Sequence, residues 1–214
     1  MNITKIKNIE KDKDIFIIGG GPSILNFDLS FLSKEVVIGM NGTVMLEEFF
    51  SSKYYVISDA RFIENKQKFS NIEKIIDTKS FIFREDIVKN LPKKIQKNIY
   101  TTKAIGRDGF SCNLARGFFH SSTTTMLAIQ VAFYLGAKRI FLLGVDLNYY
   151  GNKARSYDVG NSEIPDAFLS YQIKNIVNST KTLGQSSVEL INLSEKSFLK
   201  PYLNFKKIQE IKEY

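Results

Sequence analysis

The sequence predicts an α/β fold: a parallel sheet flanked by helices, in one domain over residues 1–214. Three observations lead there. Short β-branched and aromatic runs recur at 14–18, 35–40, 53–58 and 138–146, each of the type that forms a strand buried on both faces. Segments with apolar residues at helical spacing separate them, as crossovers between parallel strands require. The first run, Asp14-Ile15-Phe16-Ile17-Ile18, leads straight into Gly19-Gly20-Gly21-Pro22-Ser23. A strand, a glycine turn and a helix start make an anion site, because unpaired N–H groups and the helix dipole converge there.

Taken in order, residues 1–13 read as a charged, loose lead-in. In the glycine loop, Gly19, Gly20 and Gly21 let the backbone turn sharply and a ligand approach it, Pro22 suits a first helical turn, and Ser23 offers a hydroxyl to a phosphate or to the helix. Residues 24–33 form a short helix or turn. The second strand, 35–40, ends at Asn41-Gly42, where open α/β sheets bind ligands; Asn41 is a candidate for base or ribose recognition, or equally a turn residue with left-handed φ. A helix over 43–50 and a strand over 53–58 follow, with Asp59 just past the strand. Weaker patterns suggest helices at 62–69 and 85–91, strands at 80–83 and 99–103, and an irregular stretch from Gly106 to Phe119.

Ser121-Ser122-Thr123-Thr124-Thr125 precedes an apolar helix over 126–135 that Gly136 terminates. Capping accounts for one or two of these hydroxyls. Five suggest a polar ledge facing the glycine loop. The strand at 138–146 ends in Asp146, suited to a ribose hydroxyl, a metal, or the helix start at 121–125. Residues 147–171, with tyrosines at 149, 150, 157 and 171, read as a lid within the domain. A helix over 166–183 broken by Gly184, a strand over 187–193 and a short basic helix close the chain.

Composition narrows the function. Hydrophobic residues make up 43% and charged residues 24%, ordinary for a globular chain with a sizeable core. No apolar run reaches the roughly 18 residues of a membrane helix, and Met1-Asn2-Ile3-Thr4-Lys5 lacks a signal-peptide core, so a cytoplasmic protein is expected. The net charge is +8, but only six of the 30 basic residues are arginines (61, 84, 107, 116, 139 and 155), and no nucleic-acid motif accompanies them. The remaining use of that charge is a peripheral contact with the anionic inner face of a membrane, or a polyanionic substrate. Cys112 is the only cysteine, which leaves no disulfide within the chain and no cysteine-rich metal site.

As a set, Ile17-Ile18-Gly19-Gly20-Gly21-Pro22-Ser23, Val37-Ile38-Gly39-Met40-Asn41, Leu135-Gly136-Ala137-Lys138-Arg139-Ile140 and Leu143-Gly144-Val145-Asp146 resemble the bacterial sialyltransferases of glycosyltransferase family 42. They also resemble the wider superfamily that includes 6-hydroxymethylpterin diphosphokinase-like proteins. The resemblance covers about residues 14–60 and 120–160 and the region of Asn192-Leu193-Ser194. It implies a modified Rossmann-like nucleotide-binding domain over residues 1–214 and a metal-free glycosyltransferase with no cofactor, using a CMP-activated sialic acid or related keto-sugar acid in surface polysaccharide synthesis. Gly20, Gly21, Ser23 and Asn41 would hold the nucleotide, Thr123, Thr124 and Thr125 the sugar nucleotide, and Tyr149 or Tyr150, with Tyr157, the departing phosphate. The acceptor would be a glycan or glycolipid.

Two departures from that pattern stand out. The family's loop usually carries Asn at the position of Gly20, and its base is a lid histidine, whereas 158–172 contains none. The base would then be Asp158, Glu163 or Asp166, or the lone His120. Two other readings remain: a pterin-type diphosphokinase with Mg²⁺ on Asp59 and Asp146, and a non-catalytic nucleotide-binding module in a glycosylation complex.

Overall fold

The run Asp14–Ile18 forms the central strand, and its two-residue period sends side chains into two separate cores. Phe16 and Ile18 pack with Phe141, Leu143 and Ile191 on one face; Ile15 and Ile17 pack with Ile38, Ile140 and Leu142 on the other. The computed structural model describes residues 1–89, 91–148, 155–157 and 168–212.

The strands are β1 (Asp14–Ile18), β2 (Val36–Met40), β3 (Tyr54–Ile57), β4 (Ser80–Arg84), β5 (Ile99–Thr102), β6 (Ala104–Gly106), β7 (Phe118–Phe119), β8 (Arg139–Leu143), β9 (Glu189–Asn192) and β10 (Asn204–Phe205). Eight of them form one parallel sheet in the order β10-β9-β8-β1-β2-β3-β4-β5. The direction of strand addition reverses across β1: later strands are added outward through β2 on one side and through β8 on the other. The β1/β8 boundary is therefore the topological switch point, where loops splay apart and leave a crevice. At the opposite ends of these strands, the Arg139 guanidinium forks onto Asp14, fixing the β1/β8 register.

The helices are α1 (Ala60–Glu64), α2 (Lys66–Glu73), α3 (Glu85–Val88), α4 (Lys93–Gln96), α5 (Thr124–Leu135), α6 (Leu169–Gln185) and α7 (Gln209–Lys212). Helix α5 is apolar nearly all round, and Met126, Leu127, Ile129, Val131 and Leu135 are fully buried against the sheet. Gly136, at φ +97, ends it, as read from the sequence. Because α5 runs antiparallel to the strands, its N-terminus opens at the crevice.

The structure corrects several local expectations. The lead-in is docked: Ile3–Ile6 is a 3-10 turn with Ile3 and Ile6 buried, and the N–H groups of Asn8 and Glu10 donate to the carbonyls of Tyr134 and Leu135. Glu10, 1% exposed, is held there by Lys13, Lys53 and Tyr54. The helix expected at 43–50 is a 3-10 turn over Asn41–Leu46, tightened by the Met40 N–H donating to Thr43 Oγ1. Gly184 does not break α6; the helix passes through it and stops where Ser187 takes φ +57. The irregular stretch before residue 120 contains the small β6–β7 pair, and β10 adds a strand that the short Asn204–Phe205 pattern did not announce.

Candidate functional site

At the C-terminal edge of the sheet the β1 and β8 loops touch through their backbones. Gly19 N–H donates to Leu143 O and Gly21 N–H to Gly144 O, both at 2.7 Å. A Cβ on Gly19 would stand 2.3 Å from Gly144 O, so glycine is required by proximity alone. Beside this junction lies a cavity of about 570 Å³, within the range of small-molecule sites. The glycine loop, Asn41, Ser58, Asp59, the start of α5 and Tyr157 all line it. The cradle and the hydroxyl ledge thus face one space. Three non-glycine wall residues, Asn41, Ser122 and Leu147, carry positive φ, with Ser121 beside them, a concentration of backbone strain typical of binding sites.

The five hydroxyls divide the work. Ser121, fully buried, donates to Arg107 O and latches the β6–β7 loop. Thr123 is the N-cap of α5, accepting from Thr125 N–H. Thr124 Oγ1 accepts from Asn41 Nδ2 at 3.0 Å and lies 2.6 Å from Ser58 Oγ, which joins α5 to the ends of β2 and β3. Ser122, Thr123, Thr124 and Thr125 line the cavity. Asn41 Oδ1 is buried and has no hydrogen-bond partner, whereas its Nδ2 is engaged. A buried acceptor left so costs roughly 1–3 kcal/mol.

Ser23 and Asp146 correct the sequence reading. Ser23 does not face the cavity: its N–H donates to Asp146 Oδ2 at 2.8 Å, and its hydroxyl bonds Asp146 Oδ1 and Ser194 Oγ. Asp146 is 5% exposed and serves the turn after β1, not the start of α5. Ser194, which no motif singled out as a site residue, completes the knot by accepting from Gly144 N–H. Asp59 is likewise engaged, capping α1 and forking with Arg61. Partial burial opposes its ionisation, but the Arg61 guanidinium outweighs this and holds the carboxyl below its ordinary range.

Tyr157 lies in the cradle itself. A Cβ on Gly20 would meet its Cε1 at 2.6 Å, and one on Gly42 its Cζ at 2.4 Å, so the ring rests on both α-carbons. Arg155 Nη1 donates to the Tyr157 hydroxyl at 2.8 Å, and Ser156 N–H donates to Gly20 O. Tyr149, Tyr150, Asp158, Glu163 and Asp166, expected on the lid, lie outside the described residues.

His120 lines the opposite wall. Its Nδ1 accepts from Ser122 N–H at 3.1 Å, which assigns the neutral ring's proton to Nε2 and makes that atom a donor. Burial, then Arg107 and Arg84, lower its pKa. Arg61, Arg84, Arg155, Phe168 and Gln172 also line the cavity and were missed as site residues. Arg84 and Ser58 stand just at or past strand ends, the rule that picked out Asn41, and could have been found by it. Arg155 and Phe168 arrive only through tertiary folding. Among the described residues no three His, Cys, Asp or Glu side chains gather as a metal site.

Residues 1–152 match a family model described as 6-hydroxymethylpterin diphosphokinase MptE-like. The chain is 23% identical over 251 aligned positions to the probable 3-deoxy-manno-octulosonic acid transferase of Escherichia coli K12, spanning 96% of this chain and 88% of that protein. Its counterpart in Salmonella typhimurium is 22% identical, spanning 92% and 89%. The fold matches the sialyltransferase CstII of Campylobacter jejuni, solved with cytidine-5′-monophosphate, at a TM-score of 0.59 and 15% identity, over 91% of this chain and 85% of that one. The same enzyme with CMP-3FNeuAc gives 0.53. The motif resemblance is thereby borne out at both ends, the family model being the diphosphokinase-like one and the fold that of the sialyltransferase.

Proposed function

The chain belongs to the 6-hydroxymethylpterin diphosphokinase MptE-like family, and from that premise and the cavity we propose that it is a glycosyltransferase taking a CMP-activated sialic acid or related keto-sugar acid. One observation carries the reading: the unpartnered Asn41 Oδ1, held on a strained backbone between the glycine loop and the start of α5. An acceptor placed there awaits an N–H or O–H, which a cytosine amino group or a ribose hydroxyl supplies. The N–H groups at the α5 N-terminus, with Thr123, Thr124 and Thr125, then offer neutral donors to the charge of the donor's phosphate or carboxylate. The E. coli relative, named for a keto-sugar acid transferase, supports the donor class.

In this reading the acceptor hydroxyl attacks the anomeric carbon in line and CMP departs. Arg155 and the Tyr157 hydroxyl, already hydrogen-bonded, take the leaving phosphate's charge once the ring moves off Gly20 and Gly42. His120, a donor at Nε2, orients the acceptor, and the base falls to the lid carboxylates, Asp158 first among them. Tyr149 would add a second hydroxyl near the phosphate. The diphosphokinase alternative finds less support, since its two candidate magnesium ligands are committed, Asp59 to Arg61 and Asp146 to Ser23. The acceptor is a surface glycan or glycolipid, and the enzyme works in the cytoplasm, with any membrane contact peripheral.

A thermal-shift panel tests this. CMP without metal is expected to raise the melting temperature, and CMP-sugar to be consumed on addition of a glycan acceptor. Stabilisation only by ATP with Mg²⁺ would overturn it.

A further inference from the structure

The cavity has a second end. Arg84, at the tip of β4, lies three strands from β1, or about 14 Å at a strand spacing of about 4.8 Å. The glycine loop and the backbone of Arg84 thus stand at different ends of the cavity. Around Arg84 the wall is built from His120, Ser122 and Phe168, with Arg107 just behind. Arg107 stacks its guanidinium 5.5 Å from the Phe168 ring, which is 48% exposed. The Arg107 carbonyl accepts from both the N–H and the hydroxyl of Ser121, so the backbone carrying this cation is pinned to the start of α5. Gln172 Nε2 donates to Ser122 O and ties α6 to the same wall.

The charges here are uneven. Of the carboxylates on described residues that line the cavity, Asp59 is forked onto Arg61 and Asp146 is turned to Ser23. Arg84 gives its Nε to Asp86, whose side chain is 65% exposed and does not line the cavity. Asp108, beside Arg107, is engaged by Asn175 and also stands outside the wall. Among the described residues, the terminal nitrogens of Arg84, a neutral histidine donating from Nε2 and an exposed aromatic face remain at this end. That set matches an anionic group attached to a ring with an apolar face.

Building on the proposed function, we infer that the acceptor is an anionic sugar, phosphorylated or carboxylated, whose negative group docks on Arg84, with the charge of Arg107 behind it, while its ring covers Phe168. A neutral glycan would cover the Arg84 terminal nitrogens, which Asp86 on Nε does not satisfy, without an anion to meet them. The donor keeps the glycine-loop end, and the two ligands bind side by side.

The test titrates phenyl phosphate, phenyl β-D-glucuronide and the neutral phenyl β-D-glucoside into the full chain, with and without saturating CMP. At least one anionic probe is expected to bind ten times more tightly than the glucoside or better, without competing with CMP. The tighter of the two identifies the acceptor's anion. Arg84→Gln is expected to weaken that probe about tenfold and Arg107→Gln by a smaller factor, both keeping the wild-type melting temperature and CMP affinity. Equal binding of the glucoside, anion binding unmoved by both substitutions, or displacement of the probe by CMP would overturn the inference. Failure of CMP to bind at all overturns the donor assignment instead, and the titration without CMP still decides this one.

Discussion

The ring of Tyr157 rests on the α-carbon of Gly20, close enough that a Cβ there would lie 2.6 Å from Cε1. One residue earlier, the same substitution would strike the backbone oxygen of Gly144 at 2.3 Å. The two neighbours should therefore respond differently. Gly20→Ala displaces a side chain that can swing and should cost no more than about 1 kcal/mol; Gly19→Ala must push apart the packed β1 and β8 loops and should cost about 3 kcal/mol or prevent folding. Urea denaturation of the two variants checks this, and comparable losses would refute it.

Asn41 should matter to ligand more than to fold. Asn41→Ala removes one hydrogen bond to Thr124 together with an unpaired buried acceptor, so stability should change by less than about 1 kcal/mol. CMP affinity should fall at least about tenfold, equivalent to roughly 1.4 kcal/mol. Calorimetric titration gives both numbers; an unchanged CMP affinity would remove Asn41 from the site.

Asp146 should behave the other way. Its carboxylate takes both the N–H and the hydroxyl of Ser23 in a buried setting, so Asp146→Ala strands those donors and should cost about 2–4 kcal/mol. Ser23→Ala leaves the backbone bond in place and should cost less. Melting curves of the two variants rank them; a larger loss for Ser23→Ala would contradict the scheme.

Glu10 links stability to acidity. Burial by itself raises its pKa, but hydrogen bonds from Lys13, Lys53 and Tyr54 outweigh that and bring it to about 2, from an ordinary 4.5. A carboxyl whose pKa is lower folded than unfolded contributes stability that is present above pH 4.5 and lost as pH falls toward 2. Glu10→Gln should flatten the melting temperature over that interval relative to the native chain. Parallel curves for the two proteins would exclude the linkage.

His120 is the only histidine, so its ring proton resonance stands alone in a titration. Burial first, then the charges of Arg107 and Arg84, should place its midpoint below 6.5. Because the unfolded chain binds that proton more readily, the group favours folding more strongly above its ordinary pKa than below it. Arg107→Gln should raise the midpoint, and no movement would separate Arg107 from the ring.

The sheet was legible in the sequence because a strand buried on both faces must be apolar throughout, as Ile15 to Ile18 and Ile140 to Leu143 are, and because Gly136, at φ +97, has a local backbone reason to end its helix. Asn41 and Asp59 could be named from their place after strand ends. What a polar side chain does there could not be, since hydrogen bonds form with whatever the fold brings near. Ser23 turned inward because Asp146, 123 residues away, reached it first, and Tyr157 came to lie on Gly20 across 137 positions of chain. Arg84 and Phe168 share a wall, with Arg107 stacked behind Phe168, only because β4, the β6–β7 loop and α6 converge at one end of the sheet. Local periodicity and backbone sterics are written residue by residue; the pairing of charges and hydrogen-bond partners depends on through-space distance, which only the folded chain sets.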